Sequence, residues 1–217
     1  GFLVSILIFG RTGPQMAAIL VGAILLVALG MVDDVVALKP GIKFLGQIVA
    51  ALIPPLAGVV ITRFTNPFSA GGYFNLGIFS IPVTILWIVG ITNAVNFIDG
   101  LDGLACGVSA IATVTMFVIA VLYSEYQIAL MMAALAGACL GFLPYNMNPA
   151  KIFMGDTGSM FLGYILAVTS IQGLFKFYAV ISFAVPFILL GLPIFDTAFA
   201  IIRRLAHGQS PLQADRG

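Results

Sequence analysis

Residues 16–34 read MAAILVGAILLVALGMVDD, seventeen positions without a charge and then two aspartates side by side. A helical run of that length is close to the ~20 residues needed to cross hydrocarbon. The acids at its end lie where the helix macrodipole is already negative, which costs a few tenths to ~1 kcal/mol each. The stretch therefore reads as a membrane helix whose terminal Asp33 and Asp34 call for a compensating cation. A solvated helix end with Lys39 and Lys43 close by is the simpler alternative.

Six further uncharged runs have comparable length: 44–62, 78–98, 103–124, 126–150, 157–175 and 177–195. The predicted fold is all-α, a polytopic membrane helix bundle of seven full transmembrane helices. Residues 1–10 are apolar but half a span long, so they add a partial N-terminal helix. Asn66-Pro67, Gly71-Gly72 and Asn75, flanked by β-favouring residues, predict a short extracytoplasmic hairpin across Arg63–Gly77. Pro54-Pro55, Pro82, Pro186 and Pro193 fall within helical runs and are expected to kink or break them. No repeat or linker interrupts the chain, which reads as one membrane domain over 1–217.

Composition supports this class. Of 217 residues, 61% are hydrophobic and only 8% charged, against roughly 25% charged in a soluble domain. That excludes a water-soluble globular domain and a disordered chain. A net charge of +1 without clustered Lys and Arg argues against a nucleic-acid partner. Cys106 and Cys139 lie inside apolar runs and read as packing residues.

Counting crossings places 33–43, 99–102, 151–156 and the tail after Arg203 on one side. That side carries Lys39, Lys43, Lys151, Arg203, Arg204 and Arg216, against Arg11, Arg63 and Lys176 on the other, so it is cytoplasmic by the positive-inside rule. The acids are more lopsided: Asp33, Asp34, Asp99, Asp102, Asp156, Asp196 and Asp215 share the cytoplasmic side, and Glu125 alone lies opposite. Carboxylates do not set topology, so this asymmetry points to chemistry. Asn93 and Asn96 share a helix face leading to Asp99. Asp102 and Asp156 each precede a helix and could serve as N-caps; Gly155 and Gly158 around Asp156 also describe an anion pocket beside a metal ligand. With one His and both Cys inside spans, zinc lacks ligands, whereas a few carboxylates plus substrate phosphates suit Mg²⁺. The residues thus predict a cytoplasmic, Mg²⁺-dependent site for a phosphorylated substrate.

Four strings in order, GMVDDVVALKPGIKFLGQ (30–47), NAVNFIDGLDGLA (93–105), NPAKIFMGDTGSMFLG (148–163) and RRLAHGQSPLQADRG (203–217), resemble the polyprenyl-phosphate N-acetylhexosamine-1-phosphate transferases. The resemblance implies transfer of a sugar 1-phosphate from a UDP-sugar to undecaprenyl phosphate, releasing UMP, with Mg²⁺ (or Mn²⁺) as cofactor. It implies catalytic roles for Asp33, Asp34, Asp99 and Asp102, with Asp33 the candidate base for the lipid phosphate. It makes Asp156 the principal metal ligand, with Asp99 beside it. Lys39, Lys43, Asn93, Asn96 and Lys151 are the expected substrate contacts, joined by Arg203, Arg204, Asp215 and Arg216. For Arg203 and Arg204, a plain positive-inside anchor serves equally well. The tail Ser210-Pro211 and Asp215-Arg216-Gly217 resembles the branch using UDP-N-acetylglucosamine rather than the phospho-N-acetylmuramoyl-pentapeptide branch.

The resemblance also implies a bacterial cytoplasmic membrane location with the active site on the cytoplasmic face, and a homodimer as a further association. The family's histidine cluster should follow Asp-Arg-Gly, and a first helix with a Gly-Gly motif should precede residue 1. His207 lies too early to substitute, so the chain is expected to be the middle of a longer protein. A secondary transporter, the rival from another class, would place its acids near the bilayer midplane, where these spans carry none.

Overall fold

A computed structural model describes residues 1–10, 13–65, 72–173 and 191–206. In chain order they form α1 (Phe2–Phe9), α2 (Pro14–Val36), α3 (Pro40–Leu56), strands β1 (Arg63–Thr65) and β2 (Tyr73–Asn75), α4 (Ser80–Ile98), α5 (Leu104–Leu122), α6 (Tyr126–Asn146), α7 (Gly155–Gly173) and α8 (Gly191–Ala206). Helices α2, α4, α5 and α6 are long and apolar enough to cross a membrane, and the chain is an integral membrane protein. The apolar N-terminal stretch forms the eight-residue α1, and the antiparallel pairing of β1 with β2, Arg63 opposite Asn75, matches the expected hairpin. The Arg63 guanidinium lies 5.0 Å from the Tyr73 ring centre and ties the two strands together.

Two predicted spans differ from the run lengths. The run 44–62 stops being helical at Leu56, because Pro54 and Pro55 remove two N–H donors and Gly58 turns the chain at φ +89. Beyond the turn, Val59 and Ile61 are buried in extended chain, and the Ile61 N–H donates to Thr84 Oγ1 at 2.9 Å. The run 177–195 and Pro186 lie mostly outside the described residues. Its last positions open α8, which continues to Ala206 and holds Arg203 and Arg204 in its final turn instead of in a tail. Pro82 breaks nothing, since it sits in the first turn of α4, where a helix has few N–H bonds to lose.

Helix α7 is the centre of the bundle. It lies between α2 and α4, with α5 and α6 behind, and every residue from Leu162 to Ile171 is buried. A helix buried all round contacts protein instead of lipid, so it does without the greasy surface of its neighbours and uses Gly, Ser and Thr for close approach. Gly163 illustrates this: a Cβ there would lie 2.7 Å from Thr92 Cα on α4. Two of the polar contacts inside cross between helices, Tyr164 donating to the Ile19 carbonyl and Trp87 Nε1 to Ser170 Oγ at 3.0 Å, while Thr169 returns its hydroxyl to the Ile165 carbonyl of its own helix. The axis of the bundle therefore ends, at the Gly155 end of α7, where the C-terminal ends of α2 and α4 also arrive.

Candidate active site

At that meeting point lies a cavity of about 540 Å³, lined on one side by Asp33, Asp34, Lys43 and Gln47 and on the other by Asn93, Asn96, Asp99 and Asp156. Most of these side chains arrive at or near helix ends. Asp33 and Asp34 occupy the last turn of α2, one turn further into the helix than the run length implied. Lys43 and Gln47 are one turn apart on α3, Asn93 and Asn96 lie on α4, Asp99 ends α4, and Asp156 is the second residue of α7.

The compensating cation expected for the paired aspartates is present, and it serves only one of them. Lys43 Nζ lies 2.9 Å from Asp33 and 2.7 Å from Asp156, bridging α2 to α7. Asp33 also accepts the Leu38 N–H at 2.6 Å, where the chain turns through Ala37 at φ +51. Asp34 is compensated differently, by the N-terminus of α7. Its two oxygens accept the N–H groups of Asp156 at 2.8 Å and Thr157 at 3.2 Å, and the Thr157 hydroxyl at 2.6 Å. The anion pocket expected around Gly155 and Gly158 is thus filled by the protein's own carboxylate.

Asn96 is the hub of the polar floor. Its amide donates to Asp156 and, at 2.8 Å, to Ser159 Oγ, while its oxygen accepts Lys43 Nζ at 3.3 Å. Asn93 donates to Gln47 Oε1 at 2.7 Å. The Asp99 carboxylate has no hydrogen bond or ion pair among the described residues, its backbone N–H alone donating to the Asn96 carbonyl. Burial, followed by repulsion from Asp156 and Asp34, pushes its carboxyl up to about 7.

Other predicted site residues stand elsewhere. Asp102 neither lines the cavity nor caps α5, whose N-cap is Gly103. Its carboxylate instead accepts the Ala150 N–H at 3.0 Å and the Asn148 amide at 3.2 Å, bracing the loop that leads to Asp156. Asp156 likewise is not a cap, because Asp34 takes that place. Lys39 and Lys151 are exposed and outside the cavity lining. Arg203 is exposed on α8. Arg204 is buried, its guanidinium 5.6 Å from the ring of Phe97, which does line the cavity. Asp215 and Arg216 lie outside the described residues, as do Ser210, Pro211 and His207.

Residues not singled out in the sequence also contribute: Gln47, buried and bonded to Asn93; Phe44 in the wall; and Thr157 on Asp34. Gln47 had a legible signal, a lone polar residue one turn after Lys43 in an apolar run.

Four carboxylates face one ammonium in this cavity, and all donors to a metal would be oxygens. Among the described residues no group of three metal-binding side chains converges to cage an ion. The Asp99 carboxylate, without a partner among the described residues and raised by burial and then by Asp156 and Asp34, nevertheless marks a place where further negative charge is uncompensated. The set fits a hard cation that takes one or two protein carboxylates and keeps water or phosphate oxygens for the rest.

Comparison with known proteins places the chain among transferases of one family. The description "Glycosyl transferase family 4" belongs to the family profile that matches residues 16–174. A probable undecaprenyl-phosphate N-acetylglucosaminyl 1-phosphate transferase of Bacillus subtilis is 47% identical over 203 residues, covering 94% of this chain and 56% of that protein. A decaprenyl-phosphate N-acetylglucosaminephosphotransferase of Mycolicibacterium smegmatis is 38% identical over 93% of this chain and 54% of its own length. A phospho-N-acetylmuramoyl-pentapeptide-transferase of Listeria welshimeri is 38% identical over 78% of this chain and 56% of its own. The chain spans about half the length of the curated relatives it matches.

Proposed function

The chain belongs to glycosyl transferase family 4, and on that footing we propose that it transfers N-acetylglucosamine 1-phosphate from UDP-N-acetylglucosamine to undecaprenyl phosphate. UMP leaves, and the lipid-linked sugar begins a cell-envelope polysaccharide. The observation that carries this reading is the cavity lined by four aspartates at the converging ends of α2, α4 and α7, in a bundle whose described membrane-length helices are otherwise largely apolar. Acids at helix ends suit a substrate reached from the membrane surface and disfavour a midplane transport path. In this reading the chain crosses the bacterial cytoplasmic membrane seven times, with the cavity facing the cytoplasm.

In the reaction, an oxygen of the lipid phosphate attacks the sugar-bearing phosphorus of the diphosphate, and the bond to UMP breaks. Such transfer depends on positioning and on neutralising phosphate charge. Asp156 and Asp99 would hold Mg²⁺, with Mn²⁺ as a substitute, and the ion when bound would neutralise the diphosphate. Lys43 offers its ammonium to a phosphate oxygen from the centre of the cavity. Asn96 holds both Lys43 and Asp156 in place and leaves neither free to swing away. Asp33, facing the cavity beside Lys43, takes a proton from a lipid phosphate that enters as a monoanion. Asn93, held by Gln47 Oε1 and the Val89 carbonyl, presents its amide oxygen to the polar part of the donor, with the buried Gln47 fixing it.

The acetylglucosamine donor is preferred over the muramoyl-pentapeptide donor because the Bacillus subtilis relative is both more identical and matched over more of the chain. Side-by-side incubation of the purified protein with each labelled UDP donor and undecaprenyl phosphate tests this. Label from UDP-N-acetylglucosamine should move into the extractable lipid; a preference for the pentapeptide donor would refute the branch.

A further inference from the structure

Asp34 is exposed at the border of the cavity, yet both of its carboxylate oxygens are engaged by α7. The N–H groups it accepts belong to the first turn of that helix, whose donors have no partner within their own helix. An N-cap side chain ordinarily satisfies them from the position just before the helix. Here the acceptor comes from 122 residues upstream, at the far end of another helix. The negative end of α2 and the positive end of α7 meet through this one carboxylate, which offsets its unfavourable place on α2. Gly155, at φ +65, leaves the approach open, since a Cβ there would lie 2.9 Å from an Asp34 oxygen.

We infer that Asp34 is a positioning residue: seated on Asp156 and Thr157, it sets the depth and rotation of the first turn of α7 and thereby aims the Asp156 carboxylate at Asn96 and Lys43. It acts through Asp156 and does not itself contact substrate or metal. Thr157 is part of the same device, because its hydroxyl supplies the shortest of the three bonds. The inference deepens the proposed reaction and rests on it for the turnover measurement alone.

The test is a double-variant cycle on the purified protein in nanodiscs, with Asp34→Asn, Thr157→Val and the pair. Three readouts are taken: thermal unfolding, Mn²⁺ binding followed by electron paramagnetic resonance, and UMP release. Asp34→Asn should lower turnover by about tenfold or more, the size of one lost hydrogen bond to a charged group. Thr157→Val should lower it less. The pair should be no worse than Asp34→Asn by more than about twofold, because both changes break one contact, and the unfolding temperatures should show the same non-additivity. Mn²⁺ should bind Asp34→Asn about tenfold more weakly, the scale of a change outside the ligand set.

Complete loss of Mn²⁺ binding in Asp34→Asn, with Thr157→Val unaffected, would make Asp34 a ligand and overturn the inference. Independent, multiplicative losses in the pair would overturn it as well. Should Asp34→Asn fail to fold, Thr157→Val decides alone, and unchanged unfolding temperature and turnover in it would be contrary. An unsubstituted protein that releases no UMP, while the unfolding temperatures still couple, would support the contact and refute the reaction.

Discussion

A Cβ added to Gly30 would lie 2.5 Å from the Cα of Thr157, so α2 and α7 meet one turn before Asp34 at a distance that admits only a hydrogen. Gly30→Ala should force the helices apart and destabilise the protein by about 1–3 kcal/mol, the usual cost of overpacking. Gly137→Ala is the control, since a Cβ there meets nothing within 4 Å, and removing a mid-helix glycine should stabilise by roughly 0.5–1 kcal/mol. Thermal unfolding in detergent distinguishes them. Equal shifts for both would mean that the α2–α7 contact is looser than described.

Asp99 sets a pH dependence. Its carboxyl is raised from 3.8 to about 7 by burial and by Asp156 and Asp34, so between those values the folded protein binds more protons at this site than the unfolded chain does. Stability therefore falls as pH rises from about 4 to about 7, and the loss is complete above that range. Unfolding temperatures of chelator-treated protein should decline across this window, and Asp99→Asn should flatten the profile. A profile unchanged by the substitution would show that another group titrates there.

Lys43 is the ammonium that joins Asp33 to Asp156. Lys43→Met should leave these carboxylates uncompensated and lower stability by about 2 kcal/mol, in the range for hydrogen bonds to charged groups. Lys43→Arg keeps the charge and should recover most of the loss. Equilibrium unfolding of the pair of variants checks this, and a Met variant as stable as the original would contradict the bridging role.

Much of this architecture was legible in the chain because each feature had a local cause. Apolar runs marked α2, α4, α5 and α6, the turn residues near 66–75 marked the hairpin, and the misplaced charges of Asp33 and Asp34 demanded a partner. Asn93 and Asn96 were readable from their shared face. What stayed hidden depends on contacts distant in sequence. Nothing near Asp34 announces that its partner is the start of α7, and nothing near Asp102 announces Ala150. Pro54-Pro55 did announce a break in the run 44–62, and the helix does end at Leu56; only the count of that run as a full span overshot. The burial of α7 was masked for the opposite reason, since its small polar residues lower hydropathy in the helix that lipid touches least.

The central claim is that the cavity between α2, α4 and α7 performs sugar 1-phosphate transfer. It is tested most directly by UMP release from UDP-N-acetylglucosamine, measured across a Mg²⁺ titration for the unsubstituted protein and for Asp156→Asn. The Asp156 carboxylate accepts from Asn96 and Lys43 and is not the helix cap, so the substituted protein should still fold. UMP should appear only when undecaprenyl phosphate and Mg²⁺ are both present, and Asp156→Asn should be slower by about 10²-fold or more, as expected on removing an electrostatic stabiliser of the transition state. Release of UMP without the lipid phosphate, or an Asp156→Asn variant with the original rate and Mg²⁺ dependence, would contradict the account.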